Sequence, residues 1–197
     1  MNLALFDFDG TITTRETFPD FVRAAVSPQR MTRGRLVLAP WVVGYRLGWV
    51  SGVTVRARIS DFVFRGRSER EVAAIGERFA TEILPGLLRP EAMERIAWHR
   101  ARGDTVVVVS GGFDAYLRHW CAQHGLDLLC SSLEARDGVL TGRYRGAQCV
   151  GAEKARLVRE RYDLSRFAAI HAYGDTPEDR ELLELAHHRV YRWQVAA

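Results

Sequence analysis

Three short apolar runs constrain the fold of this chain more than any other sequence feature. They are Leu3–Phe8, Thr105–Val109 and Phe167–Tyr173, and each is followed at once by glycine or acidic and hydroxyl residues. Such runs are typical of strands that are buried on both faces, as in a parallel sheet. Helical patterns at Phe113–His124 and Ala152–Tyr162 separate the second run from the third. This alternation predicts an α/β fold with a doubly wound, Rossmann-like parallel sheet.

A block without a convincing strand separates the first run from the others. Its apolar pattern predicts four helices, at Glu16–Val26, Arg35–Val50, Val53–Phe64 and Ser68–Leu84. Ser68 and Glu71 have the spacing of a capping box at the start of the last helix. We therefore expect an α/β core of residues 1–13 and 86–197, with an all-helical cap of residues 14–85 inserted after the first strand. A hairpin is also expected, from Ser132–Ala135 and Val139–Tyr144, around an Asp-Gly turn.

The segment Leu36–Val50 is the most apolar part of the predicted cap. It is too short to span a bilayer, and it contains Pro40 and Arg46. We predict a buried cap helix here. The alternative is contact with lipid or an acyl chain, so peripheral membrane contact stays open.

Composition limits the classes of partner and compartment. The chain has 197 residues, a net charge of +4 and a sequence pI near 9.2, and its arginines are spread along the chain without a basic-aromatic motif. Nucleic acid is therefore not the expected partner, whereas a modest positive field suits a small phosphorylated substrate. The three cysteines lack C-x-x-C spacing, and the chain opens without a secretory signal pattern, so a cytoplasmic setting is expected.

One basic residue stands apart from the others. Lys154 is the single lysine among 28 basic residues, all the others being arginine. An ammonium is a compact point charge, whereas a guanidinium is a broad planar fork, so a tight phosphate site can require lysine.

Candidate site residues follow the predicted strands. Asp7 and Asp9 lie two apart, so in an extended segment their side chains project to the same side. Two close carboxylates favour a cation such as Mg²⁺, and Asp175 after the third run would add another oxygen ligand. Ser110 can donate its hydroxyl to a phosphate oxygen, and Gly111 permits close approach of its backbone N–H.

These residues form a pattern that resembles a known family. Asp7 to Thr11 (DFDGT), Ser110, Lys154 and Gly174 to Asp179 (GDTPED) look like the four ordered motifs of the haloacid dehalogenase superfamily. The resemblance spans essentially the whole chain, and the helical insertion corresponds to that family's type 1 cap.

The resemblance implies a role for each motif residue. Asp7 would be the nucleophile that forms an aspartyl-phosphate, and Asp9 the general acid and base. Mg²⁺ would be held by Asp7, Asp175 and the backbone carbonyl of Asp9. Lys154 would be catalytic, and Asp179 would steady Lys154 or a metal-bound water.

Two branches of the subfamily suggest different substrates. The segment Val109–Asp114 is similar to phosphoserine phosphatase, and so is Glu16, nine residues after the nucleophile. That enzyme's cap arginine for the serine carboxylate could correspond to Arg56 or Arg58, and we take Arg58 as the candidate. Glu178 departs from this branch, which has asparagine there.

The stretches 10–18, 151–154 and 172–175 look closer to another branch of the subfamily. That branch includes phosphatases that act on phosphatidylglycerophosphate. Residues 110–112 depart from that branch, because they read S-G-G rather than S-A-S. The expected activity is Mg²⁺-dependent hydrolysis of a phosphate monoester, such as phosphoserine. The alternatives are a phospholipid head group as substrate, a phosphotransferase or mutase reaction, and a non-catalytic member of the family.

Overall fold

A computed structural model describes residues 1–195, and its central element is a six-stranded sheet. The strands of the chain are β1 (Leu3–Phe6), β2 (Thr105–Phe113), β3 (Asp127–Ser131), β4 (Leu133–Arg136), β5 (Val139–Tyr144), β6 (Ile170–Gly174), β7 (His188–Tyr191) and β8 (Gln194–Val195). The order in the main sheet is β3-β2-β1-β6-β7-β8, in which only the β7–β8 pair is antiparallel. The predicted α/β fold with a Rossmann-like parallel sheet is confirmed.

Eight helices accompany the strands in the described part of the chain. They are α1 (Phe18–Ala25), α2 (Pro28–Arg46), α3 (Gly52–Phe64), α4 (Glu69–Arg78), α5 (Pro90–Ala101), α6 (Asp114–His124), α7 (Ala152–Arg161) and α8 (Arg180–Leu183). A π-helical turn (Phe79–Ile83) and short 3₁₀ turns (Leu84–Leu87, Leu164–Arg166 and Pro177–Asp179) complete the set. None of the helices within residues 1–195 is long and apolar enough to cross a membrane.

The register of the three central strands sets the position of the site. Leu3 of β1 pairs with Thr105 of β2 on one side and with Ile170 of β6 on the other. The three strands therefore start level with one another, and the segments that follow them leave the sheet at the same edge. In an open α/β sheet this edge is where ligands bind.

Alternate residues of the central strands supply two separate cores. Ala4 and Phe6 belong to the cluster that extends to the cap, whereas Leu3 and Leu5 belong to the cluster on the opposite face. All four side chains are fully buried. This two-sided burial explains why the strand sequences read as continuous apolar runs.

An aromatic cluster joins helices α1–α4 to the sheet side of the molecule. The ring of Phe21 in α1 lies 4.8 Å from that of Tyr116 in α6, and Phe64 in α3 lies 5.5 Å from Phe113 at the end of β2. Aromatic pairs at such distances add to the free energy of burial. The insertion is therefore packed firmly against the edge where β2 ends.

Several boundaries differ from the sequence prediction. β1 ends at Phe6, β2 continues through the glycines to Phe113, and β6 begins only at Ile170. The hairpin of β4 and β5 was predicted, but the sequence analysis missed β3. Half of the predicted capping box forms: Ser68 accepts a hydrogen bond from the Glu71 N–H at 3.4 Å, whereas the Glu71 side chain pairs with Arg67.

The prediction of a buried helix at Leu36–Val50 is wrong. Helix α2 begins earlier, at Pro28, and ends at Arg46. Its only buried residues are Gly34 and Gly44, where the backbone approaches Phe62 and Val50 closely. The larger side chains of the helix are half-buried, as at Leu38 and Val42, or exposed.

Close packing of α4 on α6 gives a test of the fold. A Cβ at Gly76 would lie 2.0 Å from the carbonyl oxygen of Ala115. Gly76→Ala should therefore lower the free energy of unfolding by about 1–3 kcal/mol through overpacking, although alanine normally favours a helix over glycine. Urea denaturation measures the change. Gly86→Ala is the control, since its Cβ would meet no atom within 4 Å; a Gly76→Ala protein as stable as the wild type would contradict this packing.

Candidate active site

A buried ion cluster lies at the edge of the sheet where the strands end. The Lys154 Nζ donates hydrogen bonds to Asp7 Oδ1 at 2.6 Å and to Asp179 Oδ1 at 2.5 Å. All three side chains are nearly or fully buried. Burial alone would lower the pKa of Lys154, but the two carboxylates outweigh it and raise the pKa above its ordinary value. The ammonium therefore stays charged.

Asp179 is fixed by more than its contact with Lys154. Its Oδ2 accepts hydrogen bonds from the Asp175 N–H, the Thr176 N–H and the Thr176 hydroxyl, at 3.0–3.1 Å. Gly174 makes this possible, because a Cβ there would lie 2.5 Å from the Asp179 Cβ. The carboxylate is thus held by the loop after β6 and positions Lys154.

The carboxylates of Asp7, Asp175 and Asp179 form a cluster whose oxygens lie within 4.8 Å of one another. Burial raises the pKa of Asp7, although the charge of Lys154 counteracts this effect. The pKa of Asp175 is raised mainly by burial and, second, by the charge of Asp179. One ammonium cannot neutralise three carboxylates. The charge set and its oxygen ligands therefore fit a divalent cation such as Mg²⁺.

The available oxygens narrow the set of possible metal ligands. Asp175 Oδ1 accepts a hydrogen bond from the Thr11 hydroxyl. Within residues 1–195, no hydrogen bond of the structure uses the Oδ2 atom of Asp7 or of Asp175, whereas both oxygens of Asp179 are already bonded. Asp7 and Asp175 therefore have an oxygen free for a metal, and Asp179 is better suited to hold Lys154.

Asp9 is oriented by residues that the sequence analysis missed. Its Oδ1 accepts hydrogen bonds from the Thr17 N–H at 2.8 Å and from the Thr17 hydroxyl at 2.5 Å. The Thr17 hydroxyl also lies 3.0 Å from the hydroxyl of Tyr116. Burial raises the pKa of Asp9 in spite of these hydrogen bonds. Thr17 and Tyr116 belong to no motif, so only the fold could bring them to Asp9.

Residues at the end of β2 complete the floor of the site. Gly111 lines the same cavity as Asp7 and Lys154, and a Cβ there would lie 2.8 Å from Val150. Ser110 is fully buried, and its Oγ accepts a hydrogen bond from the Gly112 N–H at 3.0 Å. The predicted glycine is therefore in the cavity wall, and the serine lies immediately beside it.

The cavity has a volume of about 340 Å³ and extends from Asp7 and Asp9 towards the cap. Its lining contains Glu16, Phe18, Tyr45, Arg56, Val150, Pro177 and Glu178. Burial, followed by the charge of Asp9, raises the pKa of Glu16 to about 7.

Arg56 is the cap arginine that faces this cavity. Its guanidinium donates to Glu178 Oε1 at 2.9 Å and to Gln148 Oε1 at 3.1 Å. Arg58 is exposed and lies over the ring of Trp41, at 4.5 Å from its centroid. The expectation that Arg58 lines the site is therefore corrected, because a shift of two residues on a helix turns the side chain to a different face.

Comparison with known proteins agrees with this geometry. The sequence model of the haloacid dehalogenase-like hydrolase family matches residues 4–184, and the chain belongs to this family. It is 32% identical over 197 residues to Protein CicA of Caulobacter vibrioides, covering 96% of this chain and 85% of that protein. It is also 32% identical over 148 residues to a phosphoserine phosphatase of Archaeoglobus fulgidus, covering 70% of this chain and 42% of that one.

A solved structure shares the fold. It is a phospho-aspartyl intermediate analogue of phosphoserine phosphatase, with a TM-score of 0.67 and 22% identity, and the match covers 96% of this chain and 85% of the other. The chain is thus a haloacid dehalogenase-like hydrolase by family, and its fold is similar to that of phosphoserine phosphatase.

The contacts of Lys154 generate a sharp prediction. Lys154→Arg should lower kcat/KM by about 10²–10³-fold, because a guanidinium is too broad for a buried position between two carboxylates and loses a preorganised charge contact. Steady-state phosphatase assays measure the effect. Arg159→Lys, an exchange at an exposed position of the same helix, is the control and should have no effect. Near-wild-type kcat/KM in a folded Lys154→Arg protein would show that Lys154 has no special role.

Proposed function

We propose that the protein hydrolyses a phosphate monoester through an aspartyl-phosphate on Asp7, with Mg²⁺ as cofactor. The observation that carries the proposal is the convergence of Asp7, Asp9 and Lys154 on one cavity. The structurally similar phosphoserine phosphatase has been solved as a phospho-aspartyl intermediate analogue, which supports the same route. The division into a core (residues 1–13 and 86–197) and a cap (residues 14–85) is part of this proposal, since it places the site between the two.

Each reacting group of the chain has a position that suits its role. An Asp7 carboxylate oxygen attacks phosphorus, and the bond from phosphorus to the leaving oxygen breaks. Asp9 gives that oxygen a proton, for which its burial and raised pKa suit it. Water then attacks phosphorus, Asp9 takes up the proton, and the bond to Asp7 breaks to release inorganic phosphate. Lys154 offsets the repulsion between Asp7 and the phosphate.

Mg²⁺ would be held by Asp7, Asp175 and the backbone carbonyl of Asp9. A bound Mg²⁺ supplies positive charge that polarises a phosphate oxygen and screens the carboxylates. Asp179 stays outside this ligand set because its oxygens already accept four hydrogen bonds. Gly111 and Ser110, at the end of β2, would bind the phosphate oxygens.

The wider part of the cavity would receive the leaving group. Phosphoserine is the substrate with which other phosphate monoesters are to be compared, because one of the similar proteins is a phosphoserine phosphatase. Glu16 and Arg56 are placed to contact the leaving group, but Arg56 is already paired with Glu178. Near pH 7 the charge of Glu16 also changes, so this end of the cavity ranges from neutral to negative. It therefore favours an uncharged or cationic leaving group over one that carries a free carboxylate.

The central test combines metal removal with a change of the nucleophile. Phosphate release should be lost in EDTA and restored by Mg²⁺, and Asp7→Asn should remove nearly all turnover because an amide does not attack phosphorus. Asp137→Asn, at an exposed turn position, is the control for the exchange itself. Full activity without metal, or an Asp7→Asn protein with more than a few per cent of the wild-type rate after deamidation is excluded by mass spectrometry, would refute the proposal.

Glu178 gives a prediction about specificity. Glu178→Gln removes the carboxylate that forms an ion pair with Arg56, so the arginine becomes available to a substrate carboxylate. The ratio of kcat/KM for phosphoserine to that for glycerol phosphate should rise on the order of tenfold, because a charge competing with the substrate is removed. Glu184→Gln, which breaks an exposed pair with Arg180, is the matched control. An unchanged ratio would mean that Arg56 does not meet the leaving group.

A further inference from the structure

Helix α2 presents an apolar outer face that no part of the described chain covers. Leu36, Val43 and Leu47 are exposed, and their spacing of seven and four residues puts them on one side of the helix. Leu36 is 76% exposed. A helix of a globular protein normally turns such a stripe towards the core. In α2 the buried positions, which pack against the rest of the protein, are instead Gly34 and Gly44.

The apolar surface continues into the turn between α2 and α3. Trp49 is 81% exposed, and Val53 at the start of α3 is also exposed. Residues 36–53 contain seven of the eleven large exposed hydrophobic side chains in the described part of the chain. So strong a concentration in one segment marks a binding surface. We call Leu36, Val43, Leu47, Trp49 and Val53 the α2 face.

The same region carries an unbalanced positive charge. From residue 21 to residue 60 there are seven arginines and no aspartate or glutamate, which exceeds the net charge of +4 of the whole chain. The basic residues remain spread along the chain, as expected, and the absence of acidic residues is what sets this segment apart. Among residues 1–195, no salt bridge involves Arg33, Arg35 or Arg46 of α2. Their charges are therefore available to a ligand.

We propose that the α2 face docks on an anionic lipid bilayer. Interfacial helices combine an exposed leucine-rich stripe, tryptophan and flanking arginines in this way, and each basic residue is attracted by anionic head groups. A second copy of the chain is a poor occupant, because a two-fold contact would bring the unpaired arginines of two α2 helices together. Charge complementarity selects the anionic membrane instead.

The apolar stripe lies apart from the catalytic cavity. Tyr45, which lines the cavity that contains Asp7, is nine residues beyond Leu36 and therefore on the opposite side of α2. Membrane binding and phosphatase chemistry use different residues, so each can fail without the other.

The test uses the full protein and vesicles made of equal parts phosphatidylglycerol and phosphatidylcholine. The wild type should co-sediment with these vesicles but not with pure phosphatidylcholine, and high salt should release it. The double variant Leu36→Glu/Val43→Glu should bind at least about tenfold more weakly, because it removes apolar burial and adds repelled charge. Its rate with soluble p-nitrophenyl phosphate should be unchanged, which shows that the fold is intact.

Tryptophan exchanges provide a matched pair. Trp49→Ala should weaken vesicle binding, whereas Trp98→Ala, at an exposed tryptophan outside the α2 face, should not. Absence of binding to anionic vesicles, or binding that the double variant retains, would overturn the proposal. So would a concentration-dependent dimer in size-exclusion chromatography that Leu36→Glu/Val43→Glu abolishes, because the α2 face would then be an interface between copies.

Discussion

The buried ammonium of Lys154 is the interaction on which the site depends. It joins Asp7 after β1, Asp179 after β6 and the first turn of α7, three segments that are distant in sequence. Removing one member of such a buried set leaves an uncompensated charge, which costs several kcal/mol, roughly 3–5. The positions of Asp7 and of the loop that follows β6 are therefore coupled. The same cluster leaves negative charge in excess, which a divalent cation would balance.

The parallel register explains why so much of the site could be predicted from the sequence. Asp7 and Asp175 directly follow β1 and β6, and Ser110 lies in the last part of β2. Each of these strands was visible as an apolar run, and level parallel strands bring such residues to one edge. Lys154 was found through composition, as the only lysine. These signals are local to a strand end or to one residue type, so they do not require knowledge of the packing.

Features that depend on packing between elements could not be read in this way. Arg56 and Arg58 have the same chemistry, and only the docking of α3 on the core decides which of them meets Glu178. Thr17 reaches Asp9 because α1 is seated on α6. The apolar content of α2 predicted burial, but apolar content is the same for a buried helix and for an exposed interfacial one. The difference lies in Gly34 and Gly44, which are the positions at which α2 packs closely against its neighbours.

The helical segment 14–85 takes part in placing the candidate catalytic groups. Thr17 immediately precedes α1 and holds the Asp9 carboxylate, while its hydroxyl contacts Tyr116 in the aromatic cluster that seats α1 on α6. On the other side of the cavity, Arg56 of α3 bonds Gln148 and Glu178, which lie beyond β5 and β6. The Asp9 carboxylate and the wider end of the cavity are thus both set by residues of segment 14–85. A displacement of this segment would disturb Asp9 before it disturbed Asp7, since Lys154 holds Asp7 independently.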